Sequence, residues 1–144
     1  MRSLQALFHI ALCALAVACA PSRPAIDELH GVRLGMTPAE VRARFEPEGK
    51  FSITPSNDGG IWLEWSATGD QPITEARFEF HEGILVAIRA KHGEDGAIAV
   101  QRLDVSPWAV RYARVDENNR AETTLLARGC PAHESEVQEL LALR

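Results

Sequence analysis

Cys130 and His133 are the residues whose types and spacing could do chemistry, because a thiol and an imidazole stand three positions apart in the segment CPAH. The segment opens a predicted helix, and a helix start favours the thiolate form of cysteine. A nucleophile and its base also need a third group that orients the base, and a zinc site needs three or four ligands. The other histidines that follow the N-terminal segment fall in separate predicted loops, at His30, His81 and His92. We therefore predict a buried thiol beside a solvated histidine, with no catalytic residue, no metal and no cofactor. A thiol-dependent enzyme that uses Cys130 is the least favoured alternative.

Four glutamates form a second group of candidates, but their spacing is that of a solvated strand face beside Arg77. They are Glu64, Glu75, Glu79 and Glu82. We do not predict a catalytic carboxylate pair among them.

Trp62 is the predicted partner-binding residue. Ile61, Leu63 and Trp65 alternate with the residues between them, so Trp62 points away from the face that they share. An outward tryptophan often marks a contact surface. The alternative is that Trp62 lies under the C-terminal helix.

The elements that must position these residues are predicted from local patterns. Thr37-Pro38-Ala39-Glu40 has the form of a capping box with proline at the first helical position, so a helix should run from Thr37 to about Phe45. Alternating apolar residues then predict strands, of which the last two form a hairpin around the turn at 81–83. These strands cover residues 51–54, 61–65, 75–80 and 84–88.

In the C-terminal third, the sequence pattern predicts a second hairpin, of residues 109–115 and 121–128, and then a helix that begins at Pro131. An alternative arises because residues 101–107 resemble residues 32–38, so that 101–115 could repeat the first helix with Ser106 as its cap. The predicted fold class is α+β: an antiparallel β meander packed against short helices, with a C-terminal helix, in a single domain at 26–144.

The N-terminal segment predicts export. One charge, Arg2, precedes an apolar run that ends in small residues before Cys19, as in a secretory signal. Leu15-Ala16-Val17-Ala18-Cys19 resembles the lipobox of bacterial lipoproteins, in which the cysteine is acylated. We predict a signal peptide at 1–18, lipidated Cys19 with a linker at 19–25, and attachment to the outer membrane. Simple secretion to the periplasm, after cleavage at the same bond, is the alternative.

Charge excludes one class of partner. Removing residues 1–18 leaves 126 residues with 14 Lys and Arg against 20 Asp and Glu, a formal charge of −6. A nucleic-acid partner would require a basic stripe, so we predict none. The lipid anchor makes the membrane a partner, and we also expect an envelope protein partner.

The lipobox, the helix start Leu34-Gly35-Met36-Thr37-Pro38-Ala39-Glu40-Val41 and the hairpins after it resemble the SmpA/BamE group. These are small outer-membrane lipoproteins, and the related β-lactamase-inhibitor-protein fold repeats a helix-plus-meander unit. The resemblance covers roughly residues 19–91. It implies an accessory binding role in the machinery that inserts β-barrels into the outer membrane. The chain departs from the pattern at Phe45-Glu46-Pro47 and has about fifty further residues.

The predicted function is a lipid-anchored, periplasm-facing, non-enzymatic binding module of the cell envelope. The second hypothesis is a carrier that holds a small apolar ligand between sheet and helix.

Overall fold

A computed structural model describes residues 26–56, 59–93, 101–115 and 120–143. The nine strands of these residues are β1 Glu28–Leu29, β2 Val32–Arg33, β3 Gly49–Pro55, β4 Ile61–Ala67, β5 Ile73–His81, β6 Ile84–His92, β7 Arg102–Val105, β8 Ala109–Val115 and β9 Ala121–Ala127. The helices are α1 Pro38–Phe45 and α2 Glu134–Leu141, and short 3-10 turns lie at Glu46–Glu48 and Pro131–His133.

One antiparallel sheet of seven strands dominates the described part of the chain, in the order β3-β4-β5-β6-β9-β8-β7. The predicted fold class, an α+β meander covered by helices, is wrong. Two consecutive meanders, β3 to β6 and β7 to β9, join edge to edge where β6 pairs with β9, and the described residues add two short α-helices. The error arose because the sequence pattern shows each hairpin but not the pairing between the two groups.

Helix α1 covers one face of the sheet, and its start follows from local chemistry. The Thr37 side chain accepts a hydrogen bond from the Glu40 backbone, and the Glu40 carboxylate accepts one from the Thr37 backbone at 2.8 Å. This is the predicted capping box. Val41 and Phe45 point into a core of buried apolar side chains, chiefly Leu63, Trp65, Phe78, Phe80, Ile88 and Leu125. The indole nitrogen of Trp65 donates to the Phe45 carbonyl at 3.0 Å, which fixes the end of α1 on the sheet.

Helix α2 covers the opposite face. Ala87 pairs with Leu126 and Ile88 with Leu125, so neighbouring residues of each strand serve different faces. Val137 of α2 packs with Ala87, Val110 and Leu126 in a second core. Leu140 and Leu141 also pack against this core, so the apolar residues of α2 share the side of the helix that faces the sheet.

The second hairpin is confirmed, because β8 and β9 pair in antiparallel register from Val115↔Ala121 to Ala109↔Ala127. The alternative helix over residues 101–115 is wrong: this segment forms β7 and β8, and Ser106 lies in the turn between them. The predicted turn at 116–119 lies outside the described residues.

Candidate functional site

Three metal-ligating side chains meet at one end of the sheet. His81 ends β5, Cys130 follows β9 by three residues, and His133 ends the 3-10 turn that leads into α2. Both β5 and β9 flank β6 and run in the same direction, so their C-terminal ends lie at the same end of the sheet. The sequence analysis placed His81 in a separate loop, and the structure brings it to Cys130 and His133.

The three side chains are within reach of one another. Cys130 Sγ lies 3.8 Å from His81 Nδ1, and one donor atom from each of the three residues lies within 4.8 Å of the others. The rings of His81 and His133 have their centroids 5.8 Å apart. Cys130 and His133 are each 7% exposed, and Cys130 is a free thiol. His133, predicted to be solvated, is therefore buried.

A buried carboxylate borders this cluster. Glu79 Oε2 lies 3.2 Å from His133 Nε2, while Glu79 Oε1 accepts a hydrogen bond from Arg89 Nε at 3.0 Å. Burial alone would raise the pKa of Glu79, but the proximity of His133 and the hydrogen bond from Arg89 outweigh it, so that the pKa lies below its usual value. Glu79 is 6% exposed, and its predicted place on a solvated face is wrong.

Arg89 joins Glu79 to the helix. Its Nη1 and Nη2 donate to the two oxygens of Glu136 at 2.7 and 2.8 Å. These hydrogen bonds lower the pKa of Glu136 and raise that of Arg89. Glu79, Arg89 and Glu136 thus form an ion-pair network of two carboxylates around one guanidinium, which holds α2 against the strands beside His133.

Trp62 lies on the sheet face opposite Leu63 and Trp65, as the alternation of β4 predicts. Its ring is half-buried beneath the Arg77 guanidinium, whose central carbon is 4.5 Å from the ring centroid. Arg77 also donates to Glu64 at 2.7 Å, which fixes it over the indole. Trp62 therefore lies on the predicted face of the sheet, but Arg77 covers part of its indole ring.

Trp108, one of three tryptophans after the N-terminal segment and one for which no role was predicted, is 78% exposed. It lies in the turn between β7 and β8. The Ser106 hydroxyl accepts hydrogen bonds from the backbone of Ala109 at 2.9 Å and of Trp108 at 3.3 Å. Arg128 donates to the Ser106 carbonyl at 2.8 Å through its guanidinium and to the Trp108 carbonyl at 2.9 Å through its backbone. Ser106-Pro107 before the tryptophan was the available sequence signal for an ordered turn.

Two depressions of the described surface have linings in which polar and apolar residues are mixed. The larger, of about 520 Å³, crosses the middle of the sheet and is lined by charged residues of both signs. They include Glu64, Glu75, Arg77, Arg89, Lys91 and Glu122. The second, of about 420 Å³, is lined by His30, Arg44 and Glu48 together with the apolar residues Phe45, Trp65, Pro72 and Ile73. Neither lining is suited to a small apolar ligand.

No protein-family model matches the sequence, and no curated protein and no solved structure is significantly similar to it. Cys19, the predicted lipidation site, lies outside the described residues. Within residues 26–143, excluding the undescribed gaps, no helix has the length and apolar character that a membrane span requires.

Proposed function

We propose that this protein is a lipid-anchored, periplasm-facing binding module of the cell envelope, that it is not an enzyme, and that it captures a protein partner through Trp108. The observation that carries the proposal is the exposure of a large aromatic side chain on a turn that a network of hydrogen bonds from Ser106 and Arg128 holds in place. Tryptophan is enriched among the residues that dominate binding energy.

The order of the turn matters as much as the exposure. Partner binding costs less free energy when the contact residue is already fixed, because less conformational entropy is lost. The turn at Ser106 and the bonds from Arg128 provide this order for the backbone of Trp108. A flexible loop with an exposed tryptophan would lack this advantage.

Two further exposed apolar residues lie at the same end of the sheet. Ile61 begins β4 and Ile84 begins β6, which run in the same direction as β8 and therefore start at the end where Trp108 precedes β8. Ile84 is 48% exposed. This end of the sheet offers a partner apolar contacts on several strands.

The carrier hypothesis has less support. The face under α1 is filled by large side chains, among them Trp65, Phe78 and Phe80, each buried almost completely. The two depressions are open, and charged residues contribute to both linings. A small apolar ligand would find neither of the described depressions apolar, whereas a protein partner can use an exposed surface.

The proposed location at the outer membrane rests on the predicted lipid anchor at Cys19. The small residues before Cys19 and the resemblance to the SmpA/BamE group support attachment to the outer membrane, with simple secretion as the alternative. A role in barrel assembly has no support beyond that resemblance, and it is left out of the proposal.

Replacing single residues by a photo-crosslinking amino acid tests the binding surface in intact cells. A crosslinker at position 108 should give a discrete protein adduct, and one at Val115 should not. Val115 is exposed but lies at the other end of β8. Trp108→Ala should weaken recovery of that same partner, with circular dichroism as the control for folding. Trp62→Ala tests the site predicted from the sequence. No adduct at position 108, or equal adducts at both positions, would count against the proposal.

The anchor has its own test. Cys19→Ala should release the protein from the membrane fraction and abolish labelling by radioactive fatty acid. A wild-type protein that carries no lipid would refute the anchor and leave secretion as the location. The crosslinking result would be unaffected by that outcome.

A further inference from the structure

We propose that His81, Cys130 and His133 bind one zinc-type divalent metal ion, with Glu79 as the carboxylate that positions His133. The proposal goes beyond the binding function and is independent of Trp108.

The donor types and their distances support the site. Two imidazole nitrogens and one thiolate are ligands that zinc prefers. In tetrahedral geometry with the usual bond lengths, a zinc-bound sulfur and nitrogen stand about 3.5 Å apart. The distance from Cys130 Sγ to His81 Nδ1 is 3.8 Å, and the full set of three donors lies within 4.8 Å. A contraction of at most about 1.5 Å in any of the three separations would close the site around an ion.

A second observation points to a ligand at this place. His133 Nε2 is completely buried, yet it makes no well-directed hydrogen bond, although Glu79 Oε2 is only 3.2 Å away. A buried polar atom without a good partner is costly and calls for an explanation. A metal ion on the ring of His133 would reorient the imidazole and give both ring nitrogens a defined role.

Glu79 and Arg89 provide the outer support of the site. Histidines that bind metals usually direct their second ring nitrogen to a carboxylate, which fixes the ring and strengthens the ligand. Glu79 Oε1 is held by Arg89, so Oε2 is the oxygen that faces His133. This carboxylate is in turn fixed to α2, because Arg89 also binds Glu136.

The chemistry of the donors defines the class of ion. Sulfur and imidazole ligands select zinc and related ions over magnesium and calcium, which require oxygen ligands. Three protein ligands leave one position for water or another ligand. When the ion binds, it takes the place of the Cys130 thiol proton, which leaves to solvent.

Titration of the full-length chain with Co²⁺, in detergent and under a non-coordinating reductant, tests the site. We expect one Co²⁺ per chain, a near-ultraviolet charge-transfer band from the thiolate and the visible bands of a tetrahedral site. Excess Zn²⁺ should remove the spectrum. No spectrum from the wild-type protein, even with cobalt in large excess, would overturn the proposal.

Variants assign the signal to the three residues. Cys130→Ala should abolish the charge-transfer band, and His81→Gln should weaken Co²⁺ affinity at least tenfold. His92→Gln is the matched control, because His92 lies at the opposite end of β6 from the cluster, and its spectrum should be unchanged. A charge-transfer band that persists in folded Cys130→Ala would overturn the assignment, since it would have to come from another thiol.

A measurement without variants covers the case in which Cys130→Ala does not fold. In the wild-type chain, Zn²⁺ should slow alkylation of Cys130 at least tenfold, as followed by peptide mapping. The same Zn²⁺ should leave alkylation unchanged at any other thiol of the chain. Equal rates at Cys130 with and without Zn²⁺ would overturn the proposal.

Discussion

Arg89 and Glu136 form a bidentate ion pair that ties the middle of the sheet to the C-terminal helix. The two residues are 47 positions apart in sequence, and their hydrogen bonds measure 2.7 and 2.8 Å. The same guanidinium also donates a hydrogen bond of 3.0 Å to Glu79, whose carboxylate is buried. One cation therefore satisfies two anions, of which only Glu136 is substantially open to solvent.

Removing the cation should cost more stability than removing the outer anion. Arg89→Met leaves Glu79 buried without its main charge partner, and we expect a loss of about 3 kcal/mol in the free energy of unfolding. Glu136→Gln should cost about 1 kcal/mol, because that carboxylate is partly exposed and screened by water. Urea denaturation measures both. Arg102→Met, at an exposed pair with Asp104, is the control and should change stability by less than about 0.5 kcal/mol. Equal losses for Arg89→Met and Glu136→Gln would contradict this account of the network.

The capping box of α1 predicts a local loss of stability. Thr37→Ala removes the side-chain acceptor for the Glu40 backbone and should destabilise the protein by about 1 kcal/mol. Ser135→Ala, at an exposed position within α2, should have an effect smaller than about 0.5 kcal/mol. A denaturant melt compares the two variants with the wild type. A shift for Ser135→Ala as large as that for Thr37→Ala would argue against a specific role of the cap.

Gly49 lies where the chain has no room for a side chain, so replacing it should destabilise the fold. A methyl group at this position would overlap the Ser66 carbonyl and the Trp65 ring, which is fixed by its hydrogen bond to Phe45. Gly49→Ala should therefore destabilise the protein by about 2 kcal/mol through displacement of the indole. Gly129→Ala has open space around the added methyl group and is the matched control. Thermal unfolding and tryptophan fluorescence are the measurements, and an unchanged melting temperature for Gly49→Ala would contradict the close approach.

His30 and His92 predict how stability depends on pH. Burial lowers the pKa of both, and their mutual charge lowers that of His92 further, with the rings 6.0 Å apart. The unfolded chain therefore binds more protons than the folded chain as pH falls below the ordinary value of 6.5, so stability must fall with pH in this range. Denaturant melts at about pH 7.5 and about pH 5.5 should show this loss.

The double variant His30→Gln, His92→Gln should lose less stability between the two pH values than the wild type. Glu79 and Glu136 do not confuse this test, because their pKa values lie below the ordinary 4.5 and they stay ionised in this range. A double variant with the full acid sensitivity of the wild type would assign the effect to other groups.

Local elements could be predicted from the sequence because their signals are local. The capping box around Thr37 involves only neighbouring residues, and the alternation in β4 to β6 follows from the geometry of a strand. The turn between β5 and β6 requires positive φ angles at two positions, and Glu82 and Gly83 adopt them. Each of these features is determined by residues within a few positions of one another.

The candidate metal site could not be predicted, because it depends on the pairing of β6 with β9. That pairing brings Cys130 close to His81, which is 49 positions earlier in the sequence. No local sequence pattern predicts a pairing between strands so far apart in the chain. The burial of Glu79 was missed for a related reason: α2 packs on the face that strand alternation alone assigned to solvent. Trp108 was missed because its exposure depends on the turn that Ser106 closes rather than on strand parity.

The central position of β6 affects how the chain reaches its native state during synthesis. The strand is apolar on both faces over Leu85 to Ile88, and the edge that Ala87 to Lys91 present to β9 stays open until β9 has been made. An open apolar edge invites pairing with another chain. A nascent or truncated polypeptide that ends near residue 93 should therefore be prone to self-association. By pairing with β6, strand β9 should prevent this aggregation in the complete chain.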